Sequence, residues 1–380
     1  MFVRSETDKR RVIIIDISGL FYKFMFGGTA GLSSTIMVDG VPTRVDTTLP
    51  TYTIKQIHRW SKGGVNPTVV CFDGAGCSKS RKAYFALKNG VKEGGEPIGY
   101  KGTRSSQDSR FYEGVNLTMN LLMKGGVCCL KGDGYEADDL IKATVDKAKK
   151  DYPDLPIDII TGDADLVPLV DEQVSVFLSS RKITWAEDKS IEKAHYVQLT
   201  PYNYQDYIES LTNYKKLSVP YNTILLTKCL RGDKSDEIKG YPKFTPTKYN
   251  SLINSLIEDG YDLSDLCRYD APTATICYRG TEEPIPEDLI ESTPKEQKMI
   301  KFGEPPVLTR LCRILSDYLD EEVVEHVRFI YNGINLNGAF TGLPDGFNRR
   351  PATLNIEIKG YVASVLQQAV SIVQIRLPIF

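Results

Sequence analysis

An α/β fold, with a mostly parallel, twisted sheet and helices on both of its faces, is what this sequence predicts. Three observations carry that expectation. Short, near-continuous β-branched runs recur through the first half of the chain, several of them close on an aspartate, and helical stretches alternate with them. The runs 12–16 (VIIID), 68–73 (TVVCFD), 156–163 (PIDIITGD) and 174–179 (VSVFLS) have no polar alternation, which suits strands buried on both faces.

Taken in order, strand 12–16 ends on Asp16 and is followed by Ser18-Gly19. A helix over 50–61 leads to strand 68–73, which ends on Asp73. Helices at roughly 106–124 and 135–151 precede strand 156–163 and Asp163. This alternation predicts an open, doubly wound sheet. Ligands of such sheets bind beyond the carboxyl ends of the strands, which is where Asp16, Asp73 and Asp163 fall.

From about residue 200 the texture turns helical. LLTKCLRG (225–232) ends on a glycine stop, and Thr245-Pro246 forms a cap and first position for TPTKYNSLINSLIEDG. The stretch 270–306, rich in Pro, Glu and Thr, reads as an irregular connection. Residues 307–320 read as helix and 322–331 as helix or strand. The expected organisation is thus a core over 1–200 with an insertion at about 74–115, a helical region over 201–350, and a tail over 351–380.

Composition narrows the class. With 380 residues, 41% hydrophobic and 25% charged, the chain has the make-up of a globular protein. Its net charge of −2, from 47 basic and 49 acidic residues, requires any positive surface for nucleic acid to be local. The eight cysteines form no C-x-x-C pair and only three histidines exist, so no structural zinc site is expected. Cysteines inside apolar runs such as TVVCF and GVCCL read as buried free thiols of a reducing, cytoplasmic compartment. The polar N-terminus is not of signal-peptide type, and no run of about 18 apolar residues predicts a membrane span.

The carboxylates carry the chemistry. Glu136 and Asp139 share one face at a helix start, with Asp138 beside them, and Asp163 and Asp165 lie two apart at a strand end. Asp233 and Asp236 are three apart after a helix. Any one pair is ordinary, because acids complement helix N-termini and make turns. Together with Asp16 and Asp73 they would repel strongly unless cations neutralised them. Oxygen ligands without histidine or thiolate select Mg²⁺ or Mn²⁺, and two such ions about 4 Å apart suit phosphodiester hydrolysis.

In this order, IDISG, VCFDG, YKGTR, YEADDL, TGDADL and GDKSDEIKG resemble the flap endonuclease/5′–3′ exonuclease superfamily, most closely the bacteriophage ribonuclease H-type 5′ nucleases. The resemblance spans about residues 12–260. It implies a PIN-like nuclease core followed by a helix–turn–helix unit, about 225–257, that grips duplex DNA. It implies that Asp16, Asp73, Glu136, Asp138 and Asp139 serve one metal ion, and Asp163, Asp165, Asp233 and Asp236 a second. The implied activity is a structure-specific 5′ nuclease of replication or repair, acting on 5′ ends, flaps or RNA–DNA hybrid.

Segment 74–112 supplies local positive charge, eight basic residues against three acidic, with Tyr84, Phe85, Tyr100, Phe111 and Tyr112 interleaved. A basic stretch with stacking residues is the footprint of a single strand. YKGTR resembles the family's gateway, so Lys101 and Arg104 are expected to stabilise charge on the scissile phosphate and Tyr100 to stack on a base. Arg81 and Lys82 are further expected contacts. Lys239, Lys243 and Lys248 are expected on duplex phosphates. Many relatives bind a potassium ion in a glycine-rich hairpin after the acids. Here Pro242 removes an amide and later glycines are absent, so no potassium ion is expected, and Glu237 replaces the common asparagine.

The ending QIRLPIF places Gln374, Leu377 and Phe380 at a Q-x-x-L-x-x-F spacing that resembles clamp-docking peptides, although a terminal strand is the commoner reading of such a segment. A sliding clamp and a single-strand-binding protein are the protein partners this implies for a monomer in the cytoplasm, that of the bacterial host if phage-encoded. The alternatives are a PIN-type single-stranded RNA endonuclease, disfavoured by the 225–257 segment, and a catalytically silent nucleic-acid-binding relative, disfavoured because every expected acid is present.

Overall fold

The structure, a computed structural model, describes residues 10–26, 33–38, 41–90, 98–101, 109–179, 196–203, 217, 223–270, 274–281 and 283–335. Arg104 and the tail residues Gln374, Leu377 and Phe380 lie outside them. The chain divides into two compact units. Met1–Ser80, Thr103–Tyr204 and Gly342–Phe380 form one, and Arg81–Gly102 with Gln205–Thr341 form the other.

The first unit opens with β1 (Val12–Asp16), α1 (Ile17–Phe26), a hairpin of β2 (Ser33–Val38) and β3 (Val41–Asp46), α2 (Thr48–Ser61) and β4 (Thr68–Phe72). Helix α3 (Lys79–Asn89) crosses into the second unit. Back in the first come α4 (Ser109–Lys124), β5 (Cys128–Lys131), α5 (Ala137–Asp151) and β6 (Ile157–Thr161). A 3₁₀ turn (Ala164–Leu169), β7 (Val174–Ser179) and β8 (Tyr196–Leu199) follow.

Among the described residues the main sheet has six strands in the order β5-β4-β1-β6-β7-β8. Every pairing is parallel except that of β8, which closes one edge antiparallel to β7. Strand β1 is central, and Ile13, Ile14 and Ile15 have no exposed surface, so both faces of the sheet are covered. Ile13, Ile15, Val70, Phe72 and Ile160 pack into one cluster with Phe21 of α1, Ile57 of α2 and Phe111 of α4. On the other face Cys71 meets Thr144 of α5. Uniformly apolar strands follow from this double coverage. The hairpin β2–β3 and helix α3 are not foreseen in the sequence.

The second unit contains α6 (Ile224–Arg231), a two-residue hairpin of β9 (Gly232–Asp233) and β10 (Ile238–Lys239), and α7 (Pro246–Glu258). Thr245 caps α7 by accepting from the Lys248 amide, Pro246 takes the first position, and Gly260 (φ +81°) follows the helix end. Apolar spacing at Tyr249, Leu252, Ile253 and Leu256 turns one face of α7 inward, where the Thr227 hydroxyl donates to Tyr249 at 2.7 Å.

Short helix α8 (Leu263–Leu266), β11 (Ala274–Tyr278), α9 (Glu287–Ile290), β12 (Lys298–Phe302), α10 (Pro306–Leu315) and α11 (Glu321–Ile334) complete it. The stretch 270–306 is therefore not irregular throughout. Strands β11 and β12 pair antiparallel, from Ala274↔Phe302 to Tyr278↔Lys298, and anchor through buried Cys277. Their pairing is non-local, which a Pro- and Glu-rich composition hides. Helix α10 ends at Leu315, earlier than the expected 320, and 321–334 is helical.

Candidate metal centre

Three parallel strand ends in the first unit each deliver a carboxylate. Asp16 closes β1, Asp73 follows β4 and Asp163 follows β6 by two residues. Asp16 is only 4% exposed. Its Oδ1 accepts from the Ser18 amide at 3.0 Å and its Oδ2 from the Thr161 hydroxyl at 2.8 Å. The same Thr161 oxygen accepts from the Asp163 amide at 2.9 Å, and Asp163 Oδ1 accepts from the Asp165 amide at 2.9 Å.

Asp73 extends the network the other way. Its Oδ2 accepts from the Ser18 hydroxyl at 3.2 Å, and its Oδ1 from the Ala137 amide at 2.8 Å, at the first turn of α5. That amide would otherwise lack an intrahelical partner. Glu136 is the N-cap of α5 in a reciprocal box: its side chain takes the Asp139 amide, while Asp139 takes the Glu136 amide at 3.1 Å. Glu136 and Asp139 are buried, whereas Asp138 is half-buried.

Two glycines permit the close approach of the turns after β1 and β6. A Cβ on Gly19 would stand 2.5 Å from the Gly162 amide nitrogen and 3.4 Å from Asp16 Oδ2. Any side chain there would push the two turns apart and with them the Asp16–Thr161 bond.

The electrostatics fit a divalent cation. Burial pushes the Asp16 carboxyl up to about 6, and the negative charge of Asp73 adds to the rise, while the Thr161 and Ser18 bonds oppose it. The donor set is all carboxylate, which suits hard cations such as Mg²⁺, Mn²⁺ or Ca²⁺. The cysteines form no disulfide, and burial lifts the half-buried Cys129 thiol to about 12 and the buried Cys71 thiol well above its usual value.

The second unit holds the remaining expected residues. Asp233 forms a 2.6 Å ion pair with Lys228, with side chains 10% and 5% exposed. Burial would raise the Asp233 carboxyl, but Lys228 and the Ser235 bonds outweigh it and the carboxyl is lowered. Asp236 is buried, and its carbonyl accepts from the Lys101 amide at 3.0 Å, so the start of the gateway is tied to the turn carrying the acids. Lys101 (φ +51°) and Glu237 (φ +59°) are both left-handed, a conformation that asparagine or glycine adopts with less strain than glutamate.

Two expected contacts need correction. Tyr100 is 4% exposed, its ring stacked on Phe85 with centroids 5.7 Å apart, so it is packed inward and not presented to a base. Arg81 is 8% exposed, donates to the Asn335 carbonyl at 3.5 Å and lies 6.0 Å from the Tyr100 ring centroid. It is packed within the second unit, with its guanidinium turned to that carbonyl and ring. Lys82 is half-buried, and Lys239, Lys243 and Lys248 are exposed. Sequence reading also overlooked Ser18, Thr161 and Lys228. The first two lie inside the quoted motifs, and Lys228 stands five residues before Asp233, a spacing with no general meaning.

Fold and site together define a class: an α/β protein whose functional edge is built from carboxylates at parallel strand ends. Residues 11–195 match the model of the 5′–3′ exonuclease N-terminal, resolvase-like domain. It is 28% identical over 240 residues to DNA polymerase I of Lactococcus lactis subsp. cremoris, covering 62% of this chain and 23% of that protein. It is 27% identical over 346 residues to DNA polymerase I of Streptococcus pneumoniae serotype 4, covering 84% of this chain and 35% of that one. The matched regions thus span between about a quarter and about a third of the length of these longer relatives. Among solved structures, a T5 5′-exonuclease with bound zinc ions aligns at a TM-score of 0.48 and 13% identity, over 95% of this chain and 100% of that one. The catalytic core of Rad2 in complex with a DNA substrate aligns at 0.41 and 13%, over 97% and 90%.

Proposed function

We propose that this chain is a structure-specific 5′ nuclease that hydrolyses phosphodiesters in DNA with a 5′ end or flap, or in RNA paired to DNA, as a ribonuclease H-type primer-removing enzyme does. The observation that carries this reading is the hydrogen-bonded carboxylate edge running from Asp165 through Asp163, Thr161, Asp16, Ser18 and Asp73 to the N-terminus of α5. It lies within the segment that matches the exonuclease domain family.

Asp16, Asp73, Glu136, Asp138 and Asp139 are the proposed ligands of one Mg²⁺ or Mn²⁺ ion. Asp163, Asp165, Asp233 and Asp236 are assigned to a second on the family resemblance. Two such ions supply an activated water and a stabilised leaving oxygen. The protein's own groups orient the ligands: Thr161 fixes Asp16, and the Ala137 amide fixes Asp73. Lys101 and Arg104 neutralise charge on the phosphate. Exposed Lys239, Lys243 and Lys248 hold duplex phosphates. The compartment is the cytoplasm, bacterial if the chain is phage-encoded. Among the described residues no helix is long and apolar enough to cross a membrane. Docking on a sliding clamp or a single-strand-binding protein is tested by pull-down with full-length and tail-deleted chain.

The decisive experiment incubates the protein with 5′-labelled flap, blunt duplex, RNA–DNA hybrid and single-stranded RNA, with Mg²⁺ or with chelator. The expected result is Mg²⁺-dependent release of short products from flap or hybrid, abolished in Asp163→Asn. Cleavage that survives chelation, or is undiminished in Asp163→Asn, overturns the mechanism, and preference for single-stranded RNA overturns the substrate.

A further inference from the structure

The Lys101 side chain, proposed above to act on the phosphate, is held by a stack of rings whose far end is on α11. Its ammonium lies 4.7 Å from the centroid of the Tyr100 ring. Tyr100 is stacked on Phe85, at 5.7 Å and 12° between planes. Phe85 meets Phe329 of α11 edge-on at 5.6 Å, and its neighbour Tyr84 lies flat on Phe329 at 4.9 Å and 17°. Gly333, one turn further along α11, is the floor of this arrangement: a Cβ there would stand 2.5 Å from Phe85 Cζ and 3.1 Å from Tyr84 Cδ1. Asn335, just past the helix, receives Arg81 on its carbonyl.

We propose that Phe329 and Gly333 are positioning residues for Lys101. They set the Phe85–Tyr100 stack on which the ammonium rests, while the Asp236 carbonyl fixes the Lys101 backbone. Phe329 and Gly333 lie more than two hundred residues beyond the gateway motif and carry no group able to touch a phosphate. Their effect therefore passes through Lys101. Aromatic pairs of this geometry are directional, so losing one ring lets the next tilt. The placement also explains why Tyr100 is buried: its ring is a platform for the lysine and not for a base.

The inference rests on the proposed nuclease reading, and two readouts separate the failure of one from that of the other. The first is cleavage of the 5′-labelled flap with Mg²⁺ by full-length Phe329→Ala, Lys101→Ala and the double variant. The expected loss in kcat for Phe329→Ala is about tenfold to a hundredfold with KM changed less than threefold, since a misplaced catalytic group can cost about 10²-fold. Phe329→Tyr, which keeps the ring, restores kcat to within threefold of wild type. In the Lys101→Ala background the further loss from Phe329→Ala falls below twofold. Losses that multiply in the double variant overturn the proposal.

The second readout needs no activity. Acetylation of Lys101 by a limiting amine-reactive ester, followed by peptide mass spectrometry, should rise at least threefold in Phe329→Ala and Gly333→Ala, with exposed Lys150 as internal standard. If no substrate is cleaved, the nuclease reading fails, and unchanged Lys101 acetylation in both folded variants overturns the positioning role by itself.

Discussion

Replacing Asp16 by asparagine tests whether the carboxylate edge is built for a cation or only for folding. In the metal-free protein Asp16 is buried, lies beside Asp73 and has its carboxyl raised from 3.8 to about 6. At 1.36 kcal/mol per unit, keeping it ionised near neutral pH costs the folded state about 3 kcal/mol. The folded form holds the proton more tightly than the unfolded chain. The Asp16 contribution to metal-free stability is therefore greatest below 3.8, declines as pH rises from 3.8 to about 6, and is level above that. Asparagine has no charge to desolvate but weakens the charge-assisted bonds from Ser18 and Thr161, returning about 0.5–1.5 kcal/mol. The expected net gain for Asp16→Asn in chelator is about 1.5–2.5 kcal/mol, a rise of roughly 0.5–1 M in the urea midpoint at an m-value of about 2.5–3 kcal/mol/M. With Mg²⁺ at a hundred times its dissociation constant, the wild type gains about 2.7 kcal/mol and the variant almost nothing, so their order inverts. Circular dichroism during urea titration at pH 7.5, with chelator and then with Mg²⁺, reads both differences. An Asp16→Asn protein less stable than wild type in chelator, or equally stabilised by Mg²⁺, would refute the reasoning.

The same raised carboxyl predicts that Mg²⁺ affinity, measured by calorimetry, holds steady above about pH 6 and falls up to about tenfold per unit below it, as the proton competes for Asp16. Affinity unchanged between pH 7 and pH 5 would contradict this. Lys228→Met strands the buried Asp233 carboxylate and should lower stability in chelator by about 3–5 kcal/mol. Because Lys228 lowers the Asp233 carboxyl, this contribution is present above 3.8 and disappears as pH falls through the lower folded value. A loss under 1 kcal/mol at pH 7 would show that the pair is not holding the turn. Gly19→Ala, whose Cβ would meet the Gly162 nitrogen at 2.5 Å, should reduce flap cleavage at least a hundredfold with a urea midpoint lowered by less than that of a core truncation. Cleavage within threefold of wild type would mean that the turns after β1 and β6 adjust freely.

The strands were legible because burial on both faces enforces the β-branched composition that marks them. VIIID and IDIIT need no context to be read as interior strands. Asp16, Asp73 and Asp163 were legible for the same reason, since a polar stop after such a run marks the sheet edge. The antiparallel pair β11–β12 was not, because its pairing joins residues 20 to 28 apart within a Pro- and Glu-rich stretch. Residue type also misled at Tyr100 and Arg81. An arginine and a tyrosine in a basic segment look like nucleic-acid contacts, and only the packing of α11 against α3 shows that they face inward. Thr161 and Ser18 look like filler between acids, and their role is visible only once strands distant in sequence lie side by side.

The bond between Asp16 and Thr161 joins residues 145 apart in the chain. A ribosome synthesises Asp16 almost at once, yet its partner strand β6 emerges only after β4, β5 and α5 have left the exit tunnel. A nascent or prematurely ended chain shorter than about 160 residues holds Asp16 and Asp73 but lacks the element that fixes the first and carries Asp163. For an enzyme proposed to cut nucleic acid, the order of the strands is thus a timer. The carboxylate edge is complete only once the middle of the chain has been translated.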